Sequence, residues 1–384
     1  MRIALDIRFR TRSGGAAYAR NLVPRLLAGA DAHEFVLVRH AEQLVNGASH
    51  LPAIVCPPLS RASEIVWDQY RLPALLESAG IELYHTLKLI GSVRARCLQL
   101  KVAHAINPSL FGTYPQRPSQ HLYWSLLGNY GFRKADHLIA VSGYVRDFCV
   151  GTLGLPAERV TIIPNGIDPL FRVLEPAAHD VEWGTRRGRP FALVVGNVLA
   201  VKNQVTAVRA FAQIAERFPG HHLLLAGGTR DPYADRVRAA IRAAGLGERV
   251  HLLGYVEPER LAQLYNAAEV LLMPSLTEGC PVALLEALAC GVPIIGSRRG
   301  GIPEVVGEAA RLIDDPMDVA AWATALEVLL WRGPERQALR DEALRRRHLY
   351  SWERTAAETL ALYDRIDRTR YGALPAPDEI ALPA

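Results

Sequence analysis

Residues 273–293 read MPSLTEGCPVALLEALACGVP, and the organisation of the chain follows from them. An apolar strand, Val270 to Met273, runs into a polar loop, Ser275 to Gly279, and the loop into a short helix from about Pro281. Gly291 and Pro293 stop that helix. Val282, Ala283, Leu284, Leu285 and Leu288 make nearly every face apolar, so the helix is expected to be buried. Glu286 lies within it, eight residues after Glu278 in the loop. A buried carboxylate is costly unless something pairs with it, so a polar group must come to Glu286. From these residues alone two partners remain open: a neighbouring hydroxyl of the protein, or a ligand.

The start of the helix adds a second property. Its first backbone N–H groups have no partner within the helix, and the helix dipole favours negative charge there. Gly279 permits close approach to the backbone, and Pro281 suits a first helical position. An anion, phosphate above all, is the natural guest.

A chain of 384 residues exceeds one ordinary core, so two domains are expected. Half of the residues are hydrophobic and 22% are charged, the profile of a soluble globular protein. The N-terminus, MRIALDIRFR, has no signal-peptide core, and no run reaches the ~18–20 apolar residues of a membrane span. Five cysteines (56, 97, 149, 280 and 290) are odd in number, form no C-x-x-C pair and read as free thiols of a reducing cytoplasm. The net charge of +5 is unevenly spread: residues 1–172 hold 19 Lys+Arg against 12 Asp+Glu, and the remainder 25 against 27. A basic first half suits acidic partners, such as phosphorylated substrates or an anionic membrane met peripherally at its inner face. The chain lacks a dense Lys/Arg block and any nucleic-acid-binding motif, so nucleic acid is the least expected of the acidic partners and none is predicted.

Short apolar runs alternate with amphipathic stretches through the first half, the pattern of a parallel α/β sheet. The pattern lapses over 173–189, a charged, Gly-containing linker, and restarts with the strand Phe191 to Val195. The expected division is therefore a first α/β domain over 1–172, a second over 190–350, a helix over 351–368, and a Pro/Ala-rich tail over 369–384. In open parallel sheets ligands bind at the carboxyl ends of strands. His85, His104, Gly14-Gly15, Gly196 and Gly227-Gly228 are all expected there.

Lys202 follows Gly196 by six residues, in GNVLAVKN, at a helix start. Helix dipoles disfavour a cation at that end, and a phosphate between lysine and helix would explain it. The segment is not a P-loop, and no dinucleotide-binding glycine fingerprint is present. His85 and His104 belong to no zinc-binding spacing, and no Asp-x-Asp pair is available for a divalent cation. A metal-free, cofactor-free phosphate site is the expectation.

Glu278 through Glu286, EGCPVALLE, with the sequel ALACGVP, resembles the E-x7-E motif of retaining glycosyltransferases of family 4. The resemblance extends over nearly the whole chain. Asp6-x-Arg8, Ser13-Gly14-Gly15 and Tyr18-x-x-Asn21-Leu22 are similar to the family's N-terminal glycine loop and helix. Val141-Ser142, the run Ile163 to Asp168, Gly196-Asn197 with Lys202-Asn203, and Leu253 to Val256 resemble further family segments. Ser351 to Thr355 resembles the start of the family's returning C-terminal helix. The implied fold is GT-B: two Rossmann-like domains facing each other across a cleft, with the C-terminal helix crossing back to the first.

The resemblance also implies roles. Glu286 would hold the ribose hydroxyls of a nucleotide, and Glu278 the hydroxyls of the donor sugar. Gly279, Cys280, Pro281 and Val282 would lie along the sugar or diphosphate, and Val256 at the base. Lys202, beside Asn197, would stabilise the leaving diphosphate. Gly14 and Gly15 would approach the phosphates, and His104 the transferred sugar. Two departures stand out: the family's Gly-Arg is Gly196-Asn197 here, leaving Arg8 or Arg298 as substitute cations, and its His-Asp is His104-Ala105. The expected activity is retaining, metal-independent transfer of a sugar, mannose-type (GDP-mannose) favoured, from a nucleotide diphosphate sugar. The acceptor would be a glycan or lipid-linked molecule in bacterial surface polysaccharide synthesis. The rival expectations are an epimerase or phosphorylase on the same architecture, and a non-catalytic scaffold.

Overall fold

The computed structural model describes residues 1–9, 14–29, 32–43, 48, 50–88, 91–104, 128–175, 182–183 and 186–369. Ser13, Ala105 and the tail beyond 369 lie outside the described residues. The chain divides into two compact units.

The first unit is a seven-stranded sheet. In chain order it comprises β1 (Arg2–Asp6), α1 (Gly14–Ala28), β2 (Glu34–His40), β3 (Ala53–Cys56), α2 (Arg61–Ser78), β4 (Leu83–Thr86), β5 (Leu98–Ala103), α3 (Asn129–Lys134), β6 (His137–Ala140), α4 (Gly143–Gly151) and β7 (Val160–Ile162). The strand order is β3-β2-β1-β4-β5-β6-β7, with parallel pairing throughout. Central strands such as β1 are buried on both faces, which is why they read as unbroken apolar runs instead of alternating ones. The Ser60 and Ser142 hydroxyls accept the Ser63 and Val145 amides, fixing the starts of α2 and α4.

An antiparallel strand pair, β8 (Glu182–Trp183) and β9 (Arg186–Arg187), stands in the expected linker. The second unit follows with β10 (Phe191–Val195), α5 (Gln204–Ile214), β11 (His222–Ala226), α6 (Tyr233–Ala243), β12 (Val250–Gly254), α7 (Pro258–Ala267), β13 (Val270–Met273), α8 (Val282–Cys290), β14 (Ile294–Ser297), α9 (Ile302–Val306), β15 (Ala310–Ile313), α10 (Val319–Leu330) and α11 (Pro334–Arg346). Its sheet order is β12-β11-β10-β13-β14-β15, again all parallel. Phe211 and Ile214 from α5 and Trp322 and Leu326 from α10 close over Val194, Leu223 and Leu272. Each such fully buried side chain contributes roughly 1.5–3 kcal/mol.

Helix α12 (Trp352–Thr369) belongs to the first unit. Trp352 meets Tyr18 of α1 edge-on at 5.3 Å, Arg25 Nε lies 2.7 Å from Glu353, and the Thr355 hydroxyl donates to the Pro164 carbonyl. The second unit spans Gly166 to Ser351 and so begins before the linker. Phe171 packs edge-on to Tyr265, and the Leu174 amide donates to Asn266, which ties this segment to α7. Sequence periodicity missed β15 and α11. β15 is an edge strand half-buried over most of its length, and α11 buries only Leu339 and Ala343. Neither carries an apolar stripe to read.

Candidate functional site

In each sheet the strand order reverses beside the strand that opens the unit: β1 lies between β2 and β4, and β10 between β11 and β13. Loops leaving such a switch point splay apart and make a crevice. The sequence places its chemistry at both.

At the second unit's switch point, β10 leads into Gly196 and β13 into the loop Pro274–Glu278. The Gly196 amide donates to the Ala226 carbonyl, the Val198 amide to Gly228 and the Gly228 amide to Asn197 Oδ1, at 2.8–3.0 Å. This zips the loops after β10 and β11 together. Gly227 sits at φ +157°, and a Cβ there would lie 2.0 Å from the Gly196 carbonyl oxygen, so only glycine permits the approach. Asn197, where the family resemblance expects arginine, is exposed and spends its side-chain carbonyl on Gly228.

Lys202 closes a 3₁₀ turn over Ala200–Lys202 and forms an ion pair with Glu278. The side chains are 23% and 12% exposed, so the pair is partly shielded but reachable. The anion that accounts for a lysine at this position is thus supplied by the protein itself. Around Glu278 the loop is held by backbone: the Leu276 amide donates to the Val201 carbonyl at 2.8 Å and the Gly301 amide to the Glu278 carbonyl at 2.9 Å. Gly300, at φ +61°, would carry a Cβ 2.3 Å from that carbonyl oxygen. Sequence reasoning passed over this Gly300-Gly301 clamp. A double glycine following a strand and preceding Ile302-Pro303 was its available signal.

Helix α8 starts at Val282, with Pro281 as its N-cap residue instead of its first helical one. No side chain caps it; the Leu284 amide donates to the Pro281 carbonyl at 3.0 Å, which leaves the Val282 and Ala283 amides at the helix end without a helix carbonyl. Its burial is uneven: Leu284, Leu285, Ala287 and Leu288 are buried, while Val282, Ala283 and Glu286 form one half-buried stripe. The Tyr265 hydroxyl donates to Glu286 Oε2 at 2.9 Å. Of the two partners expected for Glu286, the neighbouring hydroxyl is therefore realised. Burial and the adjacent carboxylate push the Tyr265 phenol well above its ordinary range, keeping it a donor. Cys280 is buried beside the helix start, and Val256 is half-buried just past Gly254, where β12 ends.

The first unit's switch point is built differently. Arg8 has a fully buried side chain, with Nε 2.8 Å from Asp6 Oδ1 and Nη2 2.6 Å from Asp6 Oδ2 and 2.7 Å from Asp68 Oδ1. Tyr84 donates to Asp6 at 2.5 Å, and Lys88 Nζ lies 2.9 Å from Asp68. Burial would raise the Asp6 carboxyl, but Arg8 and Lys88 hold it far below the usual carboxylate range. Arg8 is therefore committed to the interior and is not a substitute diphosphate cation. Arg298 is exposed with Nε 2.5 Å from Asp314, and it too is engaged by an acid.

Gly14 and Gly15 open α1 instead of forming a turn before it, and a Cβ at Gly15 would strike the Phe9 ring at 2.5 Å. The close approach there is made by a phenylalanine. His104 is half-buried, with Nε2 2.8 Å from the Leu87 carbonyl and its ring 4.7 Å from Tyr18. A carbonyl only accepts, so the proton sits on Nε2 and Nδ1 keeps its lone pair. Burial lowers its pKa to about 4. His85 falls inside β4 and not at its end; it is fully buried, with Nδ1 2.5 Å from the Tyr363 hydroxyl and a pKa lowered to about 3 by burial and by His104. Among the described residues no group of three or more His, Cys, Asp or Glu side chains is placed to hold a metal, and no helix is long and apolar enough to cross a membrane.

Comparison with known proteins decides the family. A model described as Glycosyltransferase Family 4 matches residues 12–170, and one described as Glycosyl transferases group 1 matches residues 177–346. The chain belongs to the family 4 glycosyltransferases. It is 33% identical over 240 residues to a D-inositol 3-phosphate glycosyltransferase of Nocardia farcinica, covering 60% of this chain and 52% of the relative. A protein of the same description from Mycobacteroides abscessus is 32% identical over 294 residues, covering 74% of this chain and 61% of the relative. The chain thus spans about half to three-fifths of these relatives. Among solved structures, sucrose-phosphate synthase from Thermosynechococcus elongatus superposes with a TM-score of 0.78 at 23% identity, covering 96% of this chain and 99% of that one. An Anabaena protein solved with UDP and glucose gives 0.73 at 18%, covering 94% and 99%. These likenesses place the two parallel α/β units in the GT-B fold class.

Proposed function

We propose that this protein transfers a sugar, with retention and without a metal, from a nucleotide diphosphate sugar to an acceptor hydroxyl. The observation that carries the reading is the Lys202–Glu278 pair at the second unit's switch point, beside the open start of α8. A sugar diphosphate answers both members: its phosphate takes the lysine, and its sugar hydroxyls take the carboxylate. Lys202 then faces the charge that develops on the leaving diphosphate, which a preorganised cation stabilises in the transition state more than in the ground state. Glu286, oriented by Tyr265, receives ribose hydroxyls, while Gly279, Cys280, Pro281 and Val282 border the diphosphate and Val256 the base. For the first unit the reading assigns His104, neutral and with a lone pair on Nδ1, as an acceptor for a sugar hydroxyl, and Gly14 and Gly15 as phosphate-contacting residues. No protein nucleophile is assigned. The leaving phosphate removes the acceptor proton on the face it departs from.

For the donor we favour a mannose-type GDP-sugar. For the acceptor two classes have support. Family 4 resemblance supports a glycan or lipid-linked acceptor of bacterial surface polysaccharide synthesis, met by a cytoplasmic enzyme held peripherally through its basic first half. The names of the relatives support a phosphorylated polyol, inositol phosphate in particular.

A thermal-shift screen against GDP-, UDP- and ADP-sugars identifies the donor, because a bound ligand raises apparent stability. Turnover with that donor is then measured on inositol phosphate and on lipid-linked acceptors, for wild type and Glu278→Ala. Equal rates for the two proteins would refute the role of Glu278. Stabilisation by no nucleotide sugar would count against the reading as a whole.

A further inference from the structure

Asn203, next to the lysine, has a geometry that ordinary helix capping does not explain. An asparagine before a helix usually has extended backbone and accepts a first-turn amide through its side chain. Asn203 instead adopts the left-handed conformation, φ 54° and ψ 36°, and its side chain caps no amide of α5. Arg332 is the other non-glycine residue with positive φ among those described. Such a conformation persists where surrounding contacts over-determine it. Here they do. Asn203 is 4% exposed, and its Nδ2 donates to the Pro274 carbonyl at 3.2 Å and to the Pro316 carbonyl at 2.9 Å. Its Oδ1 accepts the Thr206 hydroxyl at 2.9 Å.

The placement of these partners gives the arrangement its meaning. Pro274 begins the loop that carries Glu278, and Pro316 lies in the loop between β15 and α10. The amide of Asn203 therefore fastens the turn bearing Lys202 to the loop bearing Glu278, and the Leu276 amide on the Val201 carbonyl adds a second tie. The left-handed residue also sets the angle between the Lys202 turn and the α5 axis. We propose that Asn203 is a positioning residue: it acts through Lys202, fixing where the ammonium stands relative to Glu278 and to the diphosphate. This rests on the role of Lys202 proposed above.

The test is a double-mutant cycle with Asn203→Gly and Lys202→Ala. Glycine keeps the left-handed backbone and removes the amide bridge together with the Thr206 contact, so the variant folds with a modestly lowered melting temperature. Its kcat is expected to fall about tenfold or more while the donor KM stays within about twofold, because misplacing a catalytic group costs transition-state stabilisation. The same change in a Lys202→Ala background is expected to have no further effect. UDP and GDP affinities, measured by calorimetry on the same four proteins, are expected to follow the same non-additive pattern. Asn203→Asp, which keeps the Thr206 contact but sets a carboxylate against two carbonyls, is expected to lower both kcat and melting temperature.

A folded Asn203→Gly protein with wild-type kcat and nucleotide affinity overturns the inference, as does an additive loss in the Lys202→Ala background. An impaired Lys202→Ala with an unimpaired Asn203→Gly overturns it alone. An unimpaired Lys202→Ala overturns the Lys202 role together with it.

Discussion

The two sheets have the same topology at their switch points and opposite chemistry. Each places an acid and a base where the strand order reverses. In the first unit Asp6 and Arg8 are fully buried and joined by Asp68, Tyr84 and Lys88. In the second, Lys202 and Glu278 are 23% and 12% exposed, and they stand among glycine turns and an uncapped helix start. A network sealed from solvent offers a ligand no approach. A partly exposed pair exchanges its internal partner for an external one at lower desolvation cost. A charged pair at a switch point is therefore not by itself a binding site; solvent access decides.

The contrast is broken most directly at Arg8. Arg8→Ala strands Asp6 and Asp68 in the interior and is expected to cost about 3–5 kcal/mol in urea unfolding. If Arg8 were a diphosphate ligand, the loss would appear in nucleotide affinity with stability unchanged. Lys202→Ala should show the reverse: a stability change below about 1 kcal/mol, as for a partly exposed pair, and a kcat loss of about 10²-fold or more. Steady-state kinetics beside a melting curve separates the two outcomes.

The histidines of the first unit sharpen the comparison through pH. His85 and His104 have folded pKa values lowered to about 3 and about 4, below the ordinary 6.5. Between those values the unfolded chain binds more protons than the folded one. Their stabilisation is therefore complete above pH 6.5 and is lost as pH falls toward 4, at about 1.4 kcal/mol per pH unit for each histidine. Unfolding followed at several pH values between neutrality and pH 5 measures the slope, and His85→Gln should reduce it. The smallest effect is expected at Tyr265. Tyr265→Phe removes one donor from Glu286 and should cost about 1 kcal/mol, with a nucleotide-affinity loss of only a few-fold if ribose hydroxyls take its place. A loss as large as that of Glu286→Ala would make the tyrosine itself a ligand.

Much of the fold was legible because its cause is local and periodic. Strands buried on both faces appear as apolar runs, and helices with a core-facing stripe show their period. The edge strand β15 and the largely exposed helix α11 lack such a stripe and were missed. Within the site, Glu286 and Lys202 could be singled out because a carboxylate in an apolar helix and a cation at a helix start conflict with their local surroundings, and Glu278 through the E-x7-E resemblance. What each charge touches is a long-range fact: the Tyr265 hydroxyl at Glu286, Glu278 at Lys202, the Gly300-Gly301 clamp and the Asn203 bridge all join segments distant in sequence.

The sequence by itself determined two parallel α/β units and marked the residues whose charge demanded a partner, because burial period and desolvation cost are properties of the local chain. Only the tertiary structure decided which charged pair was sealed and which remained accessible. That choice depends on how many donors and acceptors the fold brings around each group. Arg8, a candidate cation in the sequence, meets enough carboxylate oxygens to become interior structure, whereas Lys202 meets one and keeps a face toward solvent.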